Sequence, residues 1–219
     1  MPISANKLIA RIQRRLNDST GVRVPAKDLV DMMNQAQLDI VVARPDIAAI
    51  TTTMLLVAGV NQSLPANASA LIDIPANGDG NLRPITKADL QDIDAVDFGW
   101  RKANQTNVIL HFGHDLRTPR LFQVYPPALV GTKIEIQYAA RPVNVPAPNA
   151  PGIEASSVFG EASIDDQWES ALENMTTYYA YGSDLEGVTN ANLAAMSLQR
   201  AEAILGVQLQ ASVTMAPTK

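Results

Sequence analysis

The sequence predicts an α+β protein that is mainly an α-helical bundle. Two N-terminal and two C-terminal helices make the bundle, a small antiparallel β-sheet domain is inserted between its halves, and an extended C-terminal arm follows. Three observations predict this. Apolar residues recur at helical spacing at both ends of the chain, β-branched and alternating runs fill the middle, and the last residues stay apolar where a solvated tail is usually polar. The boundaries are a helical hairpin at 1–48, the β-rich insertion at 49–142, a Pro-rich connection at 143–163, a helix pair at 164–206 and the arm at 207–219.

In the first helix Ser4 reads as N-cap and Leu8, Ile9, Ile12 and Leu16 form the apolar stripe, leaving Lys7, Arg11, Arg14 and Arg15 as a basic face. Asn17–Gly21 supplies the stop and turn. Pro25 suits a first helical position, after which Leu29, Met32, Met33, Ala36 and Ile40 mark a second apolar face. Pro45 cannot continue that helix and biases Arg44 toward extended backbone, so Arg44-Pro45-Asp46 closes the hairpin.

The run Thr51-Thr52-Thr53 into Leu55-Leu56-Val57 reads as a strand, with turn chemistry at Gly59 and Asn61. Asn77-Gly78-Asp79-Gly80 reads as a loop. Further strands are expected at Arg83–Ala88, Asn107–Phe112, Arg120–Tyr125 and Lys133–Tyr138, with a polar helical stretch near Asp89–Asp94. Ile134 and Ile136 alternate with Glu135 and Gln137, the pattern of a half-buried strand. Pro142, Pro146, Pro148 and Pro151 then mark an extended connecting segment. Ile164-Asp165-Asp166 opens a helix with Trp168, Leu172, Met175 and Tyr179 on one side, ending near Gly182. A last helix at Asn190–Leu205 carries Leu193, Met196, Ala201, Ile204 and Leu205.

At 219 residues and 47% hydrophobic content the chain is long enough to bury about 70–75% of its unfolded surface without staples. Without cysteine it has no disulfide, no thiolate metal site and no cysteine nucleophile, which fits a reducing cytoplasm. Seventeen basic against 22 acidic residues give a net charge of -5, which disfavours long-range attraction to a phosphate backbone. No apolar run approaches the roughly 20 residues that span a bilayer, and Met1–Ser4 leads into a helical pattern instead of a signal-peptide core. The expectation is a product that is soluble in the cytoplasm at synthesis.

No catalytic signature competes for attention. His111 and His114, with Asp115 beside them, fall short of three converging ligands, so no metal is expected. Asp92, Asp94 and Asp97, and Glu161, Asp165, Asp166 and Glu169, are the carboxylates from which a hydrolase pair would be drawn, but acids at a helix N-terminus already have a role with the macrodipole. Gly78-Asp79-Gly80 fits no phosphate-binding loop, and no cofactor is expected. Trp100, Phe112, Phe122, Tyr125 and Tyr138 read as core aromatics, not as a base-stacking platform.

One ordered set of short motifs remains. It comprises Leu16-Asn17-Asp18, Gly21-Val22-Arg23, Asn34-Gln35-Ala36-Gln37, Arg44-Pro45-Asp46, Gly59-x-x-Gln62-x-Leu64-Pro65 and Phe122-x-Val124-x-Pro126-Pro127, followed by Ile136–Pro142. In this order they resemble the adaptor, or head-to-tail connector, proteins of tailed phages, of the short-tailed type. Relatives tend to carry tryptophan where this chain has Val24.

The resemblance implies a structural virion protein of the neck and tail, made in the host bacterial cytoplasm. It would form a homo-oligomeric ring, commonly of twelve copies, that docks on the portal protein, extends the DNA channel and presents the attachment surface for a tail nozzle or tail-tube protein. It implies no enzymatic role, no specific DNA binding in the lumen and no membrane. On that reading Lys7, Arg11, Arg14 and Arg15 are candidates for the subunit interface, and Val207, Leu209, Val213 and Met215 for contact with the portal. The alternative is a virion-associated peptidoglycan hydrolase using a carboxylate pair.

Overall fold

In the computed structural model the described residues are 2–80, 82–149, 154–183 and 188–209. Strand β1 (Pro2–Ser4) leads into helix α1 (Ala5–Arg15), and α2 (Ala26–Ala43) follows the Asn17–Gly21 turn. The middle of the chain holds β2 (Ala49–Leu55), β3 (Gly59–Ser63), β4 (Ala68–Asn77), β5 (Thr86–Lys87), α3 (Leu90–Val96), β6 (His111–His114), β7 (Leu121–Ala128) and β8 (Lys133–Ala140). Strand β9 (Glu161–Asp165), α4 (Glu169–Ser183) and α5 (Val188–Leu205) complete the described secondary structure. The chain divides into two compact units, one of residues 1–44 with 142–219 and one of Pro45–Arg141.

The molecule is α+β, but it is not a helical bundle with a small inserted sheet. Five α-helices and nine strands in three sheets occur among the described residues. The Pro45–Arg141 unit has two sheets, ordered β2-β8-β4 and β3-β7-β6-β5, and its own core. It is not purely antiparallel either, because β5 pairs with β6 in parallel, Thr86 opposite His111. The sequence understates this half because its strands are interrupted. Strand β4 runs ten residues through Pro75, with register shifts that accommodate the irregular apolar pattern.

Alternation decides the core of that unit. Ile134, Ile136 and Tyr138 of β8 point inward with Phe122 and Val124 of β7, joined by Ile74, Ile109 and Phe112. Asn77 is fully buried and fully used: its Nδ2 donates to the carbonyls of Ile109 (2.8 Å) and Arg83 (3.1 Å), and its Oδ1 accepts from Ile109 N (2.8 Å). Gly113 lets α3 approach β6, since a Cβ there would lie 2.3 Å from Leu90 Cγ.

In the other unit α1 buries Leu8, Ile9 and Ile12, and α2 buries Leu29, Val30, Met33, Ala36 and Ile40. Helix α4 packs against α1, α2 and α5 and buries residues around most of its circumference. Strand β9, which the sequence reading takes for a connection and a helix start, pairs with β1 instead, Ile3 opposite Ala162 and Ser4 opposite Glu161. Ile3, Ala162 and Ile164 are buried by that pairing, so alternation over five residues prevails over the helix signal.

Candidate assembly surfaces and the motif residues

The short motifs prove to be devices of the fold. Asp18, nearly buried, accepts from the backbone N–H groups of Val22 (3.0 Å), Arg23 (2.8 Å) and Val24 (2.8 Å), closing the α1–α2 loop around one carboxylate. Gly21, at φ 64°, supplies the left-handed turn that this loop needs. Val24 is buried there.

In the same unit, the Asn34 side chain holds the segment after Pro142 as a strand partner would, Oδ1 accepting from Val145 N (2.8 Å) and Nδ2 donating to Val145 O (2.9 Å). One turn on, buried Gln37 Oε1 accepts from Ser163 N (2.7 Å). Arg44 lies 5.3 Å from the Trp168 ring centroid and donates to the carbonyl of Leu205.

Gln62 does the equivalent work in the sheet unit. Its Oε1 accepts from Val57 N (2.9 Å), and its Nε2 donates to the carbonyls of Val57 (2.8 Å) and Gly59 (3.1 Å). Gly59 turns the chain at φ 101°. Phe122 and Val124 are core residues, and the bond between Tyr125 and Pro126 is cis.

The basic face of α1 splits in two. Arg11 and Arg15 are half-buried and turn to α4: Arg11 Nη2 donates to Glu169, Arg11 Nε lies 3.2 Å from Glu173 and Arg15 Nη1 3.7 Å from Glu173. Lys7 and Arg14 are exposed, and Arg14 Nε donates to Ala10 O at 3.2 Å. Glu169 and Glu173 stand one helical turn apart, a spacing that marks them as partners for a basic face. Arg15 and Glu173 also line an open cavity of about 540 Å³ with Asn174, Arg200 and Ile204.

Two apolar surfaces escaped the sequence reading. Helix α5 buries Ala194, Ser197, Ala201 and Leu205, so Met196 (49% exposed) and Ile204 (38%), expected on its packed face, lie outside it. Small residues won the packed face against the close neighbour α4. In the sheet unit β2 is exposed along nearly its whole length. Of the proposed arm residues, Val207 and Leu209 are half-buried, with Leu209 N donating to Glu202 Oε1 at 2.8 Å, while Val213 and Met215 lie outside the described residues.

Several of the candidate carboxylates hold structural hydrogen bonds. Hydrogen bonds from Arg101 and then Trp100 keep the Asp94 carboxyl below its ordinary range, the Trp100 Nε1 bond being 2.8 Å. Asp97 Oδ1 accepts from Gly99 N and Asp165 Oδ1 from Gln167 N, both at 3.2 Å. A general acid needs the opposite shift, upward, so Asp94 is poorly placed for that work. Asp115 is likewise lowered, first by its Arg117 side-chain bond. His111 Nδ1 lies 2.6 Å from Thr86 Oγ1, and His114 Nε2 lies 3.3 Å from Pro119 O. No group of three metal-ligating side chains occurs among the described residues.

Compared with known families, residues 3–219 match the SU10 adaptor protein family. The chain belongs to that family of phage adaptor proteins. Comparison with curated proteins found no match. The family match spans both units and runs through the α5 face and the segment beyond it. Among the described residues of this adaptor, no helix is long and apolar enough to cross a membrane.

Proposed function

We propose that this adaptor assembles as a head-to-tail connector: a ring, of about twelve copies by analogy with the connectors it resembles, that docks on the portal, extends the DNA channel and offers the tail its attachment surface. Membership of an adaptor family over residues 3–219 carries this reading. The subunit's surfaces suit it. A closed ring needs two different complementary faces on each copy, and the exposed Met196 and Ile204 on α5 supply one apolar element of such a contact. Lys7 and Arg14, exposed on α1, set register through charge instead of supplying raw affinity. Arg11 and Arg15 act within the subunit. A net charge of -5 gives the subunit as a whole no general attraction for DNA phosphates, which suits a component of a channel that DNA passes through.

The test is the mass of the full chain by light scattering, alone and with purified portal rings, followed by negative-stain imaging. The expected result is a small species that joins portal as a closed layer, each copy adding 23.5 kDa. A chain that ignores portal at every ratio overturns the reading.

A further inference from the structure

Strand β2 is an unprotected sheet edge. Its seven residues, Ala49-Ile50-Thr51-Thr52-Thr53-Met54-Leu55, contain no charge, no proline and no glycine, and they pair with β8 in unbroken register. Only Met54 is even half-buried. The other sheet edges of this unit are blunted: β4 carries three register shifts and a proline, β5 is two residues long, and β3 is shifted against its partner. Natural proteins normally break or charge a long edge unless something pairs with it.

The open side can be read from its neighbours. Gly78 N donates to Lys133 O, so odd residues of β8 bond toward β4; Leu56 N donates to Thr132 O, so even residues bond toward β2. The N–H and C=O groups of Thr51, Thr53 and Leu55 therefore face outward, free to bond an incoming strand. On the core side of β2, Ile50, Thr52 and Met54 lie opposite buried Tyr138, Ile136 and Ile134. On the other side stand Thr51 and Thr53.

This chain contains a segment of matching pattern. From Val207 the sequence reads Val-Gln-Leu-Gln-Ala-Ser-Val-Thr-Met, with every odd residue apolar and every even one polar, and no charge to Met215. That is the period of a half-buried strand, not of a helix. Residues 209–215 equal β2 in length.

We propose that residues 209–215 of one copy add as a strand to the β2 edge of the next copy in the ring, placing Leu209, Ala211, Val213 and Met215 over Ile50, Thr52 and Met54. Gln210, Ser212 and Thr214 then stand beside Thr51 and Thr53. No described residue covers β2. Because every copy carries one acceptor edge and one donor arm, head-to-tail exchange around a closed ring leaves none unpaired. The proposal rests on the ring reading above and gives the arm an acceptor within the ring instead of on the portal.

The absence of cysteine makes the test direct. Full-length chains carrying Thr53→Cys with Gln210→Cys, Ser212→Cys or Thr214→Cys are oxidised, alone and on portal, and run without reductant. The three positions cover successive registers of the same face. At least one pair is expected to give a ladder of crosslinked multimers, roughly tenfold above a Thr53→Cys, Val213→Cys control whose side chains face opposite ways. Mixing Thr53→Cys copies with copies bearing the responding arm cysteine should give the mixed dimer. No crosslink in any pair, equal crosslinking of the opposite-face control, or crosslinks only within one chain would overturn strand exchange. A full ring on portal without crosslinks leaves the ring reading standing and sinks only this proposal. A ladder from chains that ignore portal does the reverse.

Discussion

Asn34 spends both ends of its amide on the backbone of Val145, 111 residues away. Its truncation leaves that N–H and C=O without protein partners in a half-buried place, at a cost of about 1–3 kcal/mol. Asn34→Ala should therefore lower the denaturant midpoint, whereas Gln35→Ala, an exposed neighbour, should not move it; equal effects would mean that the clamp contributes nothing. Asp94 makes a different prediction. Its carboxyl is held below the ordinary 3.8 by Arg101 and Trp100, so the unfolded state takes up its proton first as pH falls. The contribution is present above about pH 4 and is lost as pH falls through the lower folded value. Trp100 fluorescence should report that loss in acid, and Asp94→Asn should remove the pH dependence of the local signal. At this scale the sequence was informative about identity and silent about role: Asp18, Asn34, Gln37 and Gln62 stood out as motif residues, but their partners lie across loops and between segments that no local spacing reveals.

Among the elements, β8 is the center of its sheet and β2 its edge, and the same substitution should separate them. Ile136 is fully buried, so Ile136→Ala removes three carbons from a packed core and should cost about 2–5 kcal/mol. Thr52, its partner across the ladder, is exposed, and Thr52→Ala should stay within about 0.5 kcal/mol in the isolated chain, measured by the same urea titration. A comparable loss at both positions would contradict the assignment of β2 as an outer edge. The four long helices were legible from apolar spacing, and β8 from its alternation. Strand β9 was hidden behind a helix-start signal, β4 was hidden by Pro75 and its bulges, and the packed face of α5 was read only in part: Ala201 and Leu205 belong to it, but Ala194 and Ser197 carry too little hydrophobicity to announce the rest of the stripe.

For the whole molecule, the motif residues hold each unit together, while exposed apolar side chains at Met196, Ile204 and along β2 lie outside either core. Family membership was readable from the sequence because the motifs encode fold-defining hydrogen bonds; the extent of the β-rich half was not, since short interrupted strands declare themselves only when paired. If the exposed α5 residues serve the ring, altering them should spare folding and abolish assembly. The most direct measurement is the mass of the portal complex formed by the wild-type chain and by Met196→Lys, Ile204→Lys, with circular dichroism on both. Native spectra are expected for each, with a closed layer only for the wild type. A double variant that builds the same ring on portal would contradict that role of α5.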